Sequence, residues 1–452
     1  MKIVIIGGSH AGLSAAESIK KMSREHDIIL LEKRDVLGFV PSSLNFILEK
    51  VPHYKLSNLN GMADSKALQD LGIDLRLNSL VTRIYPEDKT LEVVEKKNSY
   101  SLSYDRLILA MGSEKFTFAE PIQDTDISTL LTYKYPMETK NTFYQLSNSH
   151  HVTIIGAGLI GLELASSLTT LPKKRVTVID QMSRPLFRYF DVEITDILKE
   201  NHPKNLNFIF GRTLKNVEKN AETIKISMYG GQTLQTDAAV LALNPRPNTA
   251  LITPPIRLNF DNTVKVNKYM QTDDPNIYAI GDLIKVPFGP GIKQAYLPLI
   301  SIARRTGLIA ASHIINQALN LETSFQRTIA TKIFNHYLGS TGITFEESLL
   351  LNIPVKEVTK SFKYYSKLYK EEQFNLKIKL IYRTNGHALL GAQLISSDPD
   401  SLHLISLFSN AIARQETIES MLLDEYYYSP MLSPDHNFIT ETIFETFKND
   451  SQ

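Results

Sequence analysis

Two stretches of this chain each join a β-branched strand to a glycine-rich turn, and together they constrain the fold more than any other feature. The first, KIVIIGGSHAGLSAAESIKK, reads as a buried strand, a tight turn and an amphipathic helix, and a second strand, DIILLEK, follows. Gly7, Ser9 and Gly12 stand at the G-x-G-x-x-G spacing, with serine in the second place. Gly7 permits the tight turn, a small residue at 9 lets the backbone approach a pyrophosphate, and Gly12 lets helix and strand pack closely. Glu32 ends the second strand, where a carboxylate can accept hydrogen bonds from a ribose diol. The second stretch, HVTIIGAGLIGLELASSLTTLPKKRVTVID, repeats strand, turn, helix and strand, with Gly156, Gly158 and Gly161 in the full pattern and Asp180 at the strand end.

One degenerate fingerprint is a weak signal, because its glycines can serve packing alone. Two copies, each with an acidic residue at the right offset, imply two dinucleotides. Asp180 favours NADH over NADPH, since a carboxylate welcomes a 2′-hydroxyl and repels a 2′-phosphate. Arg184 in DQMSRPL could soften that preference; the plainer expectation is an exposed, solvated loop arginine. Further on, IYAIGDLIK places Gly281 and Asp282 just after a strand, where the aspartate can bond a ribityl or phosphate-side hydroxyl, although GD alone is only a turn.

Composition narrows the remaining choices. A chain of 452 residues exceeds one compact unit. The 49 lysines and arginines nearly balance 48 aspartates and glutamates, so no global field draws it to nucleic acid or an anionic membrane. The first strand starts at the second residue, which leaves no room for a secretory leader, and a cytoplasmic protein is expected. No apolar run approaches the roughly 20 residues of a membrane span. Cysteine is absent, which removes disulfides, thiolate metal sites and any sulfur redox pair, and no metal site is expected.

With these motifs in view, the chain resembles the flavin- and pyridine-nucleotide-dependent disulfide oxidoreductases, in the branch that holds NADH peroxidase, water-forming NADH oxidase and coenzyme A disulfide reductase. The likeness runs through GGSHAG, LLEK, YDRLILAMGS, IIGAGLIGLELA with VTVID, LALNPRPNT, IYAIGD, TKIFNHYLGSTGIT and DEYYYSPMLSPDHN. It implies an α/β architecture of two Rossmann-like domains and a C-terminal α+β dimerisation domain. FAD would bind residues 1–115 and 245–325, NADH residues 116–244, and residues 326–452 would pair two copies. Carried over, the FAD contacts are Gly7, Ser9, His10, Gly12, Glu32, Lys33, Ser42, Val81, Gly112, Gly281 and Asp282. NADH meets Gly156, Gly158, Gly161, Glu163 and Asp180, with Glu163 near the nicotinamide or else a mere helix-surface charge.

The stretch EKRDVLGFVPSSLNFILEK departs from that family where its chemistry is done. Ser42 stands in the place of the redox cysteine, with Pro41 before it and Ser43 after it. A hydroxyl has no oxidation ladder like that of a thiol, so cysteine-based peroxidase, disulfide reductase and four-electron oxidase chemistry are all disfavoured. Hydride transfer from NADH to flavin needs no thiol. The expected function is therefore an NADH oxidase that reduces dioxygen by two electrons to hydrogen peroxide. The alternatives are a reductase of a quinone, a small organic acceptor or a partner protein, and an FAD-binding sensor with little turnover. A disulfide reductase that borrows sulfur from its substrate has no internal support. His10 could stabilise charge or relay a proton at the flavin, or simply cap the helix; Ser42 reads as packing and hydrogen bonding. Tyr427, Tyr428 and His436 are candidates for an acceptor pocket, or for interface core. Two further departures are Asn244 and Pro245 ahead of RPN, and Pro298, which is expected to kink or shift the start of the helix that follows.

Overall fold

The computed structural model describes residues 1–452 except 53, 57, 58, 60, 62, 97, 115–128, 221, 222, 244, 290, 291, 318, 320–323, 366–372, 430–432, 434–436 and 450–452. Asn244 and His436 therefore lie outside the described residues, as does the expected boundary at 115.

The first stretch nucleates a five-stranded parallel sheet in the order Ile277–Ala279, Arg106–Leu109, Lys2–Ile6, Asp27–Leu31, Ile73–Arg76. Ile3, Val4 and Ile5 have no exposed surface. Such unbroken apolar strands belong to sheets covered on both faces. The edge strand Ile277–Ala279 comes from far along the chain, so this layer is built from two separated stretches. The first fingerprint helix, His10–Met22, packs against helix Ile300–Ile314, where Gly307 would place an added Cβ 2.5 Å from the Ala11 carbonyl oxygen.

The second stretch forms a four-stranded parallel sheet, ordered Leu206–Ile209, Arg175–Ile179, His151–Ile155, Ala238–Leu241, with the second fingerprint helix, Leu159–Thr169, packed on it. In each half a three-stranded antiparallel meander is inserted before the chain returns to the parallel sheet, Ser79–Tyr85 to Asn98–Ser103 ahead of Arg106–Leu109 and Leu214–Asn220 to Thr233–Thr236 ahead of Ala238–Leu241. The two halves thus repeat one plan, as the doubled fingerprint requires.

The C-terminal part is α+β. Its antiparallel sheet runs Ile329–Ile333, His336–Gly342, Leu389–Ser396, Gln373–Arg383, Val355–Tyr365. Strand Leu389–Ser396 is buried along its whole length, because its alternate side chains serve two cores. Leu394 packs with Phe408 and Ile412 of helix His403–Ala413, whereas Ile395 joins Leu338 and Ile333 against the second half. Buried Lys379 pins the same seam, with Nζ 3.2 Å from Asp191, 3.0 Å from Glu193 and 2.7 Å from Glu357.

Two expectations are corrected. Arg184 is not a solvated loop residue: it is 5% exposed, donates to the Phe190 carbonyl and pairs with Glu346 at 2.7 Å. Its charge is already engaged by the C-terminal part. Of the two effects expected of Pro298, the kink is absent, because the helix begins at Ile300 with Leu299 as its cap and the ring lies outside the hydrogen-bond ladder. Among the described residues, no helix is long and apolar enough to cross a membrane.

Candidate functional site

A cleft of about 1970 Å³ runs from the first glycine turn to the second. Pockets for a single small molecule span roughly 300–1,000 Å³, so this one has room for two. Its walls include Gly7, Ser9, His10, Glu32, Lys33, Ser42, Val81, Gly112 and Asp282 in the first half, and Gly156, Gly158, Glu163 and Asp180 in the second. The structure thus gathers most of the residues singled out from sequence into one cavity.

The two turns are built alike. Gly7 and Gly156 adopt φ of 113° and 116°, a region that excludes other residues. An added Cβ on Gly12 would lie 2.0 Å from the Gly7 oxygen, and one on Gly161 would lie 1.9 Å from the Gly156 oxygen. These two glycines, with Gly281, are not among the lining residues. They act by close packing, and Gly281 admits Ala11 of the first fingerprint helix.

Both fingerprint helices begin without a side-chain cap, at Ser9 and at Gly158. Their first-turn N–H groups are thereby left for an anion, and a Cβ on Gly158 would meet nothing within 4 Å. Glu32 accepts from the Gly8 and Arg34 amides at 2.8 and 3.0 Å, and Asp180 accepts from the Ala157 and Met182 amides at 2.6 and 2.8 Å. Each carboxylate is held at the cleft wall by backbone, with lone pairs to spare for a ribose. Uncapped helix ends, fixed carboxylates and open space beside the turns all fit a dinucleotide in each half.

At the centre of the first half, His10 is half-buried and bonded to the Phe39 backbone. Burial and the nearby Arg304 guanidinium lower its pKa, so the ring is neutral at pH 7. Its Nε2 is buried without a protein partner, an atom that a ligand is needed to satisfy. Ser42 occupies the N-cap of the short helix Ser43–Leu48, yet its hydroxyl caps nothing. That helix is tied to the second fingerprint helix by Ser167, which donates to Glu49 at 2.7 Å.

Sequence reasoning missed one constellation. Lys134 Nζ donates to Ser113 Oγ at 2.6 Å, and Ser113 donates to Asp282 Oδ2 at 2.7 Å. All three line the cleft. Burial pulls Lys134 down to about 8 and pushes Asp282 up. Ser113 lies in the AMGS motif and so had a local signal, whereas Lys134 had none.

In the second half, Glu163 is not a surface charge. It faces the cleft, burial raises its pKa, and its Oε1 accepts from Thr331 at 2.7 Å. Tyr427 and Tyr428, 80% and 67% exposed, are not among the lining residues.

Residues 1–307 match the family described as pyridine nucleotide-disulphide oxidoreductase. The chain is 26% identical to an NADH oxidase of Enterococcus faecalis, over 97% of this chain and 98% of that protein. A solved pyridine nucleotide-disulfide family oxidoreductase from Enterococcus faecalis superposes with a TM-score of 0.87 at 29% identity, covering 100% of this chain and 99% of that one. A water-forming NADH oxidase from Lactobacillus brevis, bound to NADH, has the same fold, with a TM-score of 0.92 at 23% identity over 100% of this chain and 99% of that one.

Proposed function

The chain belongs to the pyridine nucleotide-disulphide oxidoreductase family, and on that footing we propose that it is a cytoplasmic, homodimeric, FAD-dependent NADH oxidase whose product is hydrogen peroxide. The observation that carries this reading is one cleft joining both glycine turns in a chain with no sulfur nucleophile anywhere in it. In this division of labour, residues 1–115 and 245–325 hold FAD, 116–244 hold NADH, and 326–452 pair two copies.

FAD, when bound, accepts hydride from NADH and delivers two electrons to dioxygen. The chain's own residues do the rest. The Gly7–Gly12 and Gly156–Gly161 turns seat the two pyrophosphates, with Glu32 and Asp180 on the riboses. Asp282, Ser113 and Lys134 offer a hydroxyl and two oppositely charged groups to the flavin-bearing nucleotide. Glu163, ionised, stabilises the positive charge that grows on the dihydronicotinamide as hydride leaves. Reducing dioxygen with NADH consumes one proton, and neutral His10, with Nε2 free, is placed to pass it from solvent. Ser42 cannot be oxidised and re-reduced, so nothing in the chain takes peroxide on to water.

The test is to add NADH to the FAD-loaded protein without oxygen and then admit air. Rapid loss of the oxidised-flavin absorption, followed by rapid return, is expected. Rapid loss with sluggish return would make the chain a reductase of another acceptor. If NADH leaves the flavin oxidised, both catalytic readings fall and a binding or sensory role replaces them.

A further inference from the structure

We propose that Thr331 is a positioning residue for hydride transfer: from the C-terminal sheet it holds the Glu163 carboxylate at the nicotinamide end of the cleft. This rests on the role given to Glu163 above. It makes the C-terminal part a contributor to the reductive step as well as to assembly.

The geometry is specific. Thr331 Oγ1 donates to Glu163 Oε1 at 2.7 Å across 168 residues of sequence. Strand Ile329–Ile333 buries alternate positions, and its inward face reads Ile329, Thr331, Ile333. Valine would give the same branched shape there, so the hydroxyl is what the position gains, and a buried hydroxyl is costly without a partner. Glu163 is that partner. Three residues on, and so on the same helix face, Ser166 Oγ accepts from the Phe334 amide at 2.8 Å. Two bonds from one hairpin fix the helix in rotation as well as in height. Ile329 and Ala330, next to Thr331, line the cleft themselves.

The ionisable groups around Glu163 leave Thr331 as the group that favours its charged form. Tyr133 donates to the Ile160 carbonyl, and burial together with Glu163 raises its pKa. Glu49 on the serine helix accepts from Ser167, and Lys332 is exposed on the opposite face of its strand. On the strands behind the helix, His151 and Arg175 stand at the far end, while Asp180 is held by two amides. Burial raises the Glu163 pKa and the Thr331 hydroxyl opposes that rise. Removing the hydroxyl therefore moves protonation of Glu163 to higher pH.

The experiment is rapid-mixing reduction of the FAD-loaded protein by NADH, without oxygen, across a pH series, for wild type, T331V and T331S. Hydride transfer falls at low pH as Glu163 is protonated. T331V is expected to slow the saturating rate at neutral pH about tenfold, the worth of one hydrogen bond to a charged group. It also moves the acid limb upward by about one pH unit, and T331S restores both. An unmoved limb in T331V, or a T331S as slow as T331V, overturns the proposal. If T331V does not load FAD, T331A against T331S gives the same comparison. A wild type that is not bleached by NADH overturns the underlying function and this inference with it. A bleached wild type with an unmoved limb overturns this inference alone.

Discussion

At the scale of single residues, Ser42 carries the largest consequence, because it stands where the family resemblance puts a redox sulfur, and the chain offers no substitute. Its hydroxyl caps no helix, and no base is bonded to it among the described residues. Ser42→Ala is therefore expected to keep the oxidase rate within about twofold, since an unactivated hydroxyl is no nucleophile; a loss of activity measured at the oxygen electrode would contradict this. Ser42→Cys tests the converse. A thiol at that point of the cleft can meet peroxide and climb to a sulfenic acid, so peroxide recovered per NADH should fall below that of wild type. How far such residues are legible in a sequence depends on the reach of their partners. Gly12 and Gly161 declare themselves because their steric demands close within a few residues, against the carbonyl oxygens of Gly7 and Gly156. Lys134 is silent because its role depends on Ser113, and Ser113 in turn on Asp282, 169 residues further on. Arg184 is misread as solvated for the same reason, its partner Glu346 lying 162 residues away.

At the scale of elements, the two strand–turn–helix units are alike in form and separable in function. An alanine at Gly12 or at Gly161 brings a methyl within about 2 Å of a turn carbonyl, a clash that costs on the order of 3 kcal/mol where the backbone cannot yield. The two variants should differ in what they lose. Gly12→Ala should purify without flavin colour, whereas Gly161→Ala should keep its flavin and need at least about tenfold more NADH for half-maximal bleaching. Equal loss of flavin in both would undo the assignment of one nucleotide to each turn. The fold class was readable at this level because buried β-branched strands and glycine turns are local signals. The start of helix Ile300–Ile314 was not, since whether a proline lies inside or just before a helix turns on a shift of two residues. The Tyr427–Tyr428 segment was readable only as aromatic, and in the chain those side chains stand exposed.

At the scale of the whole molecule, the C-terminal sheet is fastened to the second half by charge as well as by apolar packing. Lys379, 1% exposed, pairs with Asp191, Glu193 and Glu357, and Asp191 also receives the Phe345 amide and the Gln393 side chain. Lys379→Met leaves the buried Asp191 carboxylate without its cation, and a loss of about 3 kcal/mol is expected in a denaturant titration. Because Arg184 and the run Leu186, Phe187, Arg188 and Tyr189, just before Asp191, line the cleft, the same variant should bind NADH more weakly; unchanged stability and binding would show that the seam holds without this cluster. In a chain with two nucleotide turns, one cleft joining them and no cysteine, what matters most is where the electrons go. The most direct measurement is peroxide formed against NADH consumed, in air, by the purified FAD-loaded protein. One hydrogen peroxide for each NADH, with half of the consumed oxygen returned when catalase is added, is the predicted result. Two NADH for each dioxygen, with no oxygen released by catalase, would mean that water is the product and that the chain completes a four-electron reduction without cysteine.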